Sequence, residues 1–327
     1  MKNEKPFVLL LIMLLALPAL LAPFGADIPS FRPDGPGEGF LTRPAEWLTQ
    51  RLAGRTLLLT WRGDALRALG DGGKSTVVGR DGTLFYKEAL NSAAGAKGAV
   101  GYLDGLRRRL EADGRHLIVL IAPNKATVLT DRLPGRLRAR YDAGALAALE
   151  TALEAAGIGT VRADSLLLQS GKAGQAYYKY DTHWNARGAL IAANGLLEKL
   201  SLPPYDMETV DFDAGRAGDL LVLTAPGRDP TEQDALPALE RTWRFARPMR
   251  TVNDIRIETL SGGEGPTVLL LRDSFGAGLL PYLAARVPRL IMLRGCDDPV
   301  SAAKDAGADA VVLEIAERDL TLLTTYD

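Results

Sequence analysis

Asp181 and His183 stand two residues apart in the stretch YYKYDTHWNARGA, residues 177–189, and the chain holds one other histidine, His116. On an extended segment, residues i and i+2 share a face, so the carboxylate can fix the imidazole tautomer and stabilise its cation. An imidazole held in that way can act as a general base for a nucleophile elsewhere in the chain. LLLRDSFG, residues 269–276, offers one. The apolar run Val268 to Leu271 predicts a buried strand that ends just before Ser274, with Gly276 and Gly278 opening a helix. Strand-to-helix turns at the C-terminal edge of a sheet are where α/β proteins place reactive groups, and helix-start N–H groups lie close enough to hold an oxyanion. A serine hydroxyl is a weak nucleophile at neutral pH and needs an adjacent base.

Other readings of the same residues stand beside this one. Asp273 or Ser274 fits a helix N-cap. His116 opens a core strand and reads as a structural histidine, which leaves His183 as the base. Asp181, His183 and Ser274 then form a complete catalytic set, since geometry and not chain order defines such a set. A metal held by Asp181, His183 and Asp273 competes, but one histidine and no cysteine in these two stretches leave zinc short of its usual ligands. No metal and no cofactor is expected. Tyr177, Tyr178 and Tyr180 fit either a sugar subsite or a buried tyrosine cluster, and Arg272 beside the serine is a fourth candidate for substrate binding. Trp184 reads as a packing anchor and Asn185 as the N-cap of the next helix. GDGGKSTVV, residues 70–78, lacks the first glycine of a phosphate-binding loop, because position 68 is Ala and the residues before it read as a helix.

The elements that must position these groups alternate along the chain. STVVGRDGTLFY (75–86) predicts two short strands around an Asp-Gly turn. A helix ending at Gly114, a buried strand over His116 to Ile121 and a helix ending at Gly157 follow. A short strand, a helix after Asn185, the strand and helix around Ser274, and two closing strands complete the series. Such alternation argues for a three-layer α/β/α sandwich with a mainly parallel sheet. Residues 204–256 fit it poorly and read as an insertion or lid.

The N-terminus carries a different message. Lys2 and Lys5 precede an apolar run from Phe7 to Phe24, about the length of a bilayer-spanning helix. The candidate cleavage pairs Leu17/Ala19, Ala22/Phe24 and Phe24/Ala26 each lack one small residue, which favours an uncleaved anchor over a removed signal. Residues 1–26 are therefore expected as the anchor, 27–74 as a linker and helical neck, and 75–327 as an extracytoplasmic domain. A net charge of −1 gives a nucleic-acid partner no electrostatic support. The single cysteine, Cys296, permits no internal disulfide.

YYKYDTHWNARGA followed by LLLRDSFGAGLLPYL resembles the alginate O-acetyltransferase family of the AlgJ and AlgX type. VVGRDGTLFY, IAPNKATVL and ADAVVLEIAERDL support the resemblance in the expected order over residues 75 to 320 or so. It implies an SGNH-hydrolase-like domain in which Ser274 is the nucleophile, His183 the base and Asp181 its orienter. It further implies an extracytoplasmic O-acetyltransferase acting on a polysaccharide, with a membrane-bound O-acyltransferase partner supplying the acyl group. A carbohydrate acetylesterase with the same triad, and a non-catalytic polysaccharide-binding scaffold, are the alternatives.

Overall fold

The structure, a computed structural model, describes residues 55–90, 98–206, 212–213, 218–228, 232, 236–237 and 239–324. The expected anchor, residues 1–26, and the linker that follows it lie outside these residues. Among the described residues no helix is long and apolar enough to cross a membrane.

In chain order the elements that matter here are α1 (Arg55–Ala68), β1 (Thr76–Val78), β2 (Leu84–Tyr86), α2 (Ala99–Ala112), β3 (His116–Ala122) and the single turn α3 (Lys125–Val128). Then come α4 (Ala145–Ala155), β4 (Gly159–Val161), α5 (Ala163–Gln169), α6 (Ala186–Lys199), α7 (Asp219–Thr224), β5 (Trp243–Phe245) and β6 (Arg256–Ser261). The last are β7 (Thr267–Arg272), α8 (Leu280–Arg286), β8 (Arg289–Arg294), α9 (Pro299–Ala306) and β9 (Ala310–Ala316).

Seven strands form one sheet in the order β4-β3-β9-β7-β8-β6-β5. The five from β4 to β8 run parallel, and β6 and β5 add an antiparallel edge. The parallel strands are apolar throughout because helices cover both faces. In β3, Ile118, Leu120 and Ala122 join one core while Leu117, Val119 and Ile121 join the other. Leu167 of α5, Leu190 of α6 and Leu283 of α8 fill the first core, and Leu106 of α2, Leu153 of α4 and Ala303 of α9 fill the second. This is the three-layer mainly parallel sandwich that the alternation predicts.

The expected β-hairpin is present, with Gly82 at φ +81° in its Asp81-Gly82 turn, a conformation that favours glycine. One expectation needs correction. His116 is not a core histidine but is exposed at the first position of β3, where it pairs with Ala310. The segment 204–256, expected as an insertion or lid, delivers β5 to the sheet edge and α7 to the neighbourhood of Asp181.

Candidate active site

β7 ends at Arg272, and the chain turns through Asp273 and Ser274 into a single 3-10 stretch before α8. The turn is fixed from both sides. Asp273 Oδ1 accepts the Phe275 N–H at 2.7 Å, and its Oδ2 accepts the Ala316 N–H at the end of β9, also at 2.7 Å. The Asp273 N–H donates in turn to Glu314 Oε2 at 3.1 Å. Asp273 thus takes the capping role, and the Ser274 hydroxyl is left for another partner. Gly276 is required here, since a Cβ at that position would lie 2.6 Å from both Arg272 Cβ and Glu314 Oε2.

That partner is His183, whose Nε2 lies 2.9 Å from Ser274 Oγ. The imidazole is held at its other nitrogen, where Nδ1–H donates to Asp181 Oδ1 at 2.7 Å. The tautomer follows from this: a proton on Nδ1 leaves the Nε2 lone pair facing the hydroxyl. Asp181 is buried and accepts three further bonds, from the His183 N–H on Oδ1 and from the Gly218 and Asp219 N–H groups on Oδ2. Burial pushes its carboxyl upward, but the bond to and charge of His183, with the Asp219 and His183 amides, hold it well below the usual carboxylate range.

The two halves of the site are joined by packing. Trp184 is 3% exposed and its Nε1–H donates to the Phe275 carbonyl at 3.1 Å. The Phe275 ring lies 4.6 Å from the His183 ring and meets Trp184 edge-on at 5.3 Å. Asn185 caps α6 by accepting the Gly188 N–H, as its position predicts. Lys125, buried under the hairpin, donates from Nζ to the Leu84 carbonyl at 2.8 Å and to the Lys179 carbonyl at 3.4 Å. Burial lowers its ammonium to about 8, against the pull of Asp181, Glu232 and Asp219.

The Ser274 hydroxyl opens into a cleft of about 460 Å³. Tyr86, Leu220 and Leu223 supply its less polar wall, and Glu88, Asp219, Arg318 and Asp319 its charged one. Of these, Tyr86 ends the expected hairpin STVVGRDGTLFY, and Arg318 and Asp319 lie in the closing stretch ADAVVLEIAERDL, but neither stretch reads as part of a site. The signal that locates Arg318 and Asp319 is their place just past the C-terminal end of a central parallel strand.

None of the expected sugar-subsite residues is among those lining the cleft at Ser274. Tyr177 is buried and its hydroxyl donates to the Pro123 carbonyl at 2.7 Å, tying the loop to the end of β3. Tyr180 packs on the small cluster of Leu84, Leu220, Leu221 and Ala225, with Arg67 and Lys179 over its ring. Tyr178 is half-buried, with its N–H directed to the His183 carbonyl. Arg272 is 5% exposed and donates to the carbonyls of Asp273, Val252 and Asp254, so it holds the loop before β6.

The metal alternative also changes. Asp181, His183 and Asp219, and not Asp273, are the acid and imidazole groups that converge. Both Asp181 oxygens are taken by N–H donors, while the Asp219 oxygens accept the Thr182 N–H and hydroxyl. The imidazole nitrogen that faces both carboxylates is Nδ1, which donates its proton to Asp181, so His183 would have to reverse its tautomer and release Asp181 to ligate a metal there.

Residues 76–291 match the family described as an SGNH hydrolase-like domain, acetyltransferase AlgX. The chain is 28% identical over 298 residues to a probable alginate O-acetylase AlgJ of Pseudomonas putida, which covers 82% of this chain and 76% of that one. Among solved structures, the O-acetyltransferase domain of Pseudomonas putida AlgJ superposes with a TM-score of 0.51 at 22% identity, covering 77% of this chain and 95% of that one. Bacillus cereus PatB1 with a sulfonyl adduct superposes with a TM-score of 0.58 at 13% identity, over 75% and 95% of the two chains. These two likenesses concern the fold.

Proposed function

The chain belongs to the AlgX acetyltransferase family with its SGNH hydrolase-like domain, and on that premise we propose that it is an extracytoplasmic O-acetyltransferase acting on polysaccharide hydroxyls through Ser274, His183 and Asp181. The observation that carries the reading is the continuous hydrogen-bonded line from Asp181 Oδ1 through both imidazole nitrogens to Ser274 Oγ. Such a line makes a weak hydroxyl nucleophilic by giving its proton a destination as the oxygen attacks.

In the first half-reaction, Ser274 Oγ adds to the acyl carbonyl while its proton passes to His183 Nε2. The imidazolium is stabilised by Asp181 and returns that proton to the departing donor oxygen, leaving an acyl-serine. In the second, an acceptor hydroxyl loses its proton to Nε2 and attacks the acyl carbon. The Ser274 Oγ–acyl bond breaks and the serine recovers its proton. The Ser274 backbone N–H serves as one oxyanion donor. The lysine-led apolar run at residues 7–24 supports anchorage in the cytoplasmic membrane with the domain outside. There a membrane-bound O-acyltransferase partner supplies the acyl group.

The test feeds the full-length protein an activated acetyl ester, with and without oligosaccharide, and follows ester, acetate and acetylated sugar. Acetylated sugar that vanishes in Ser274→Ala is the expected result. Acetate release that ignores every sugar would instead identify an esterase, and no Ser274-dependent turnover would leave a binding scaffold.

A further inference from the structure

His183 has a second carboxylate beside it. The first, Asp181, accepts the Nδ1–H on one oxygen, and on the other the N–H groups of Gly218 and Asp219, which lock the first turn of α7 against it. That lock sets the Asp219 side chain over Thr182. Its Oδ1 accepts the Thr182 N–H at 2.8 Å and its Oδ2 accepts the Thr182 hydroxyl at 2.5 Å. A hydroxyl has one proton, so Thr182 Oγ1, having given it to Asp219, is an acceptor toward His183 Nδ1, 3.2 Å away. Asp219 Oδ2 itself lies 3.7 Å from the same nitrogen. The Nδ1–H therefore faces three oxygens, two of them on carboxylates. Holding the Thr182 main chain needs only Oδ1, and that role leaves the placement of Oδ2 beside the imidazole unexplained. Two carboxylates so close repel, and Lys125, whose ammonium both attract, offsets part of that repulsion. A positive charge on the imidazole offsets more of it, and this charge exists only once the serine has given up its proton. The Asp219 side chain is 40% exposed against 12% for Asp181, so solvent screens its attraction and Asp181 stays the stronger partner.

We propose that Asp219 is a second positioning residue for His183, which, with the Thr182 hydroxyl as its bridge, shares with Asp181 the task of holding the Nδ1–H and stabilising the imidazolium. This rests on the reading of Ser274 and His183 as nucleophile and base. No proton moves to Asp219: the serine proton goes to Nε2, Nδ1 keeps its own, and both carboxylates stay ionised throughout. When Asp181 loses its charge, Asp219 is the carboxylate left on that nitrogen, reached through Thr182 Oγ1.

The test measures kcat and KM of the full-length protein for an activated acetyl ester, together with the rate at which a sulfonyl fluoride modifies Ser274, which reports the nucleophile without any acceptor. Asp219→Asn keeps an oxygen for the Thr182 N–H and removes only the charge. It should lower kcat and the sulfonylation rate by about tenfold, with KM and the denaturant midpoint nearly unchanged. Thr182→Ser should stay within about twofold of the wild type, whereas Thr182→Val, which deletes the bridge, should lose severalfold in kcat. In the Asp181→Asn background, Asp219→Asn should cost at least threefold more than it does alone, because one carboxylate then does the work of two. Ester turnover that survives Ser274→Ala would sink the nucleophile reading itself. Given Ser274-dependent turnover, three results each overturn the role of Asp219 alone: an unchanged kcat in Asp219→Asn, a loss confined to KM or to the denaturant midpoint, or an equal or smaller cost in the Asp181→Asn background. Should Asp219→Asn fail to fold, the Thr182 pair decides, and equal kcat in Thr182→Ser and Thr182→Val overturns the bridge.

Discussion

Asp181 carries more constraint than any other single residue of the site. Its two oxygens accept four N–H bonds, two from His183 and two from the chain at Gly218 and Asp219. Replacing it by Asn keeps the size but removes the charge that stabilises the imidazolium and allows the amide to favour the wrong tautomer. Asp181→Asn should therefore lower kcat by about 10²- to 10⁴-fold while leaving KM for a small ester much less affected, as steady-state kinetics will show. The same substitution has a signature in stability. The folded carboxyl sits below its unfolded value, so its contribution is complete above about pH 4 and is lost as pH falls through the lower folded value. Denaturant midpoints between pH 2 and 7 should fall less steeply toward acid in the variant than in the wild type, and identical slopes would refute this. The side chains proposed for catalysis were legible in sequence because histidine is scarce and the serine follows an apolar strand. Asp219 was not, because it comes from a separate segment whose path no local pattern reveals. Arg272 and Tyr177 misled for the opposite reason: their chemistry suits a subsite, but their strand and loop turn them into the protein, where they bond to main-chain carbonyls.

At the scale of elements, strands and helices with strong periodicity read correctly from the sequence, while the clamps between them did not. Gly114 and Gly157 ended the helices α2 and α4 as expected, each at positive φ just past the last turn. The antiparallel edge formed by β5 and β6 was hidden inside a stretch rich in Pro, Arg and Asp, where short half-exposed strands leave no alternation to detect. Lys125 shows what a clamp does. From the turn of α3 it reaches under the β1–β2 hairpin and binds the Leu84 and Lys179 carbonyls, so hairpin and histidine loop share one ammonium. Its folded pKa of about 8 lies below the unfolded value near 10.4. Between those values the unfolded chain holds a proton that the folded chain has released, so this residue makes stability rise with pH across that window. The rise amounts to about 3 kcal/mol. Lys125→Met should abolish it: the difference in unfolding free energy between wild type and variant, measured at pH 7.5 and pH 10, should move by about that amount in favour of the wild type. A constant difference would show that the ammonium is not desolvated.

For the whole molecule, the parallel sheet does two things at once. Its apolar strands bury both faces under helices, and the C-terminal ends of β7 and β9 present the serine turn and the Arg318–Asp319 pair on one edge. Reaction at that edge uses an acyl group that, in the proposed function, arrives from the membrane, so tethering becomes part of catalysis. A tether confines the domain to a thin layer above the bilayer and raises its effective concentration toward a membrane-bound donor, without any new contact. The apolar run at residues 7–24 is about long enough to provide it. The full chain should then sediment with membranes and resist extraction by high salt and alkaline carbonate, whereas a chain lacking residues 1–26 but exported by a cleavable signal should appear in the soluble fraction. The shortened protein should still turn over a water-soluble acetyl ester in a Ser274-dependent way, because the hydrogen-bonded line from Asp181 to Ser274 lies wholly within residues 181–274. Acetylation of glycan from the membrane-bound donor should fall by an order of magnitude or more in the same cells. Equal acetylation by the tethered and untethered forms would mean that the donor reaches the site through solution, and that the N-terminal segment serves export alone.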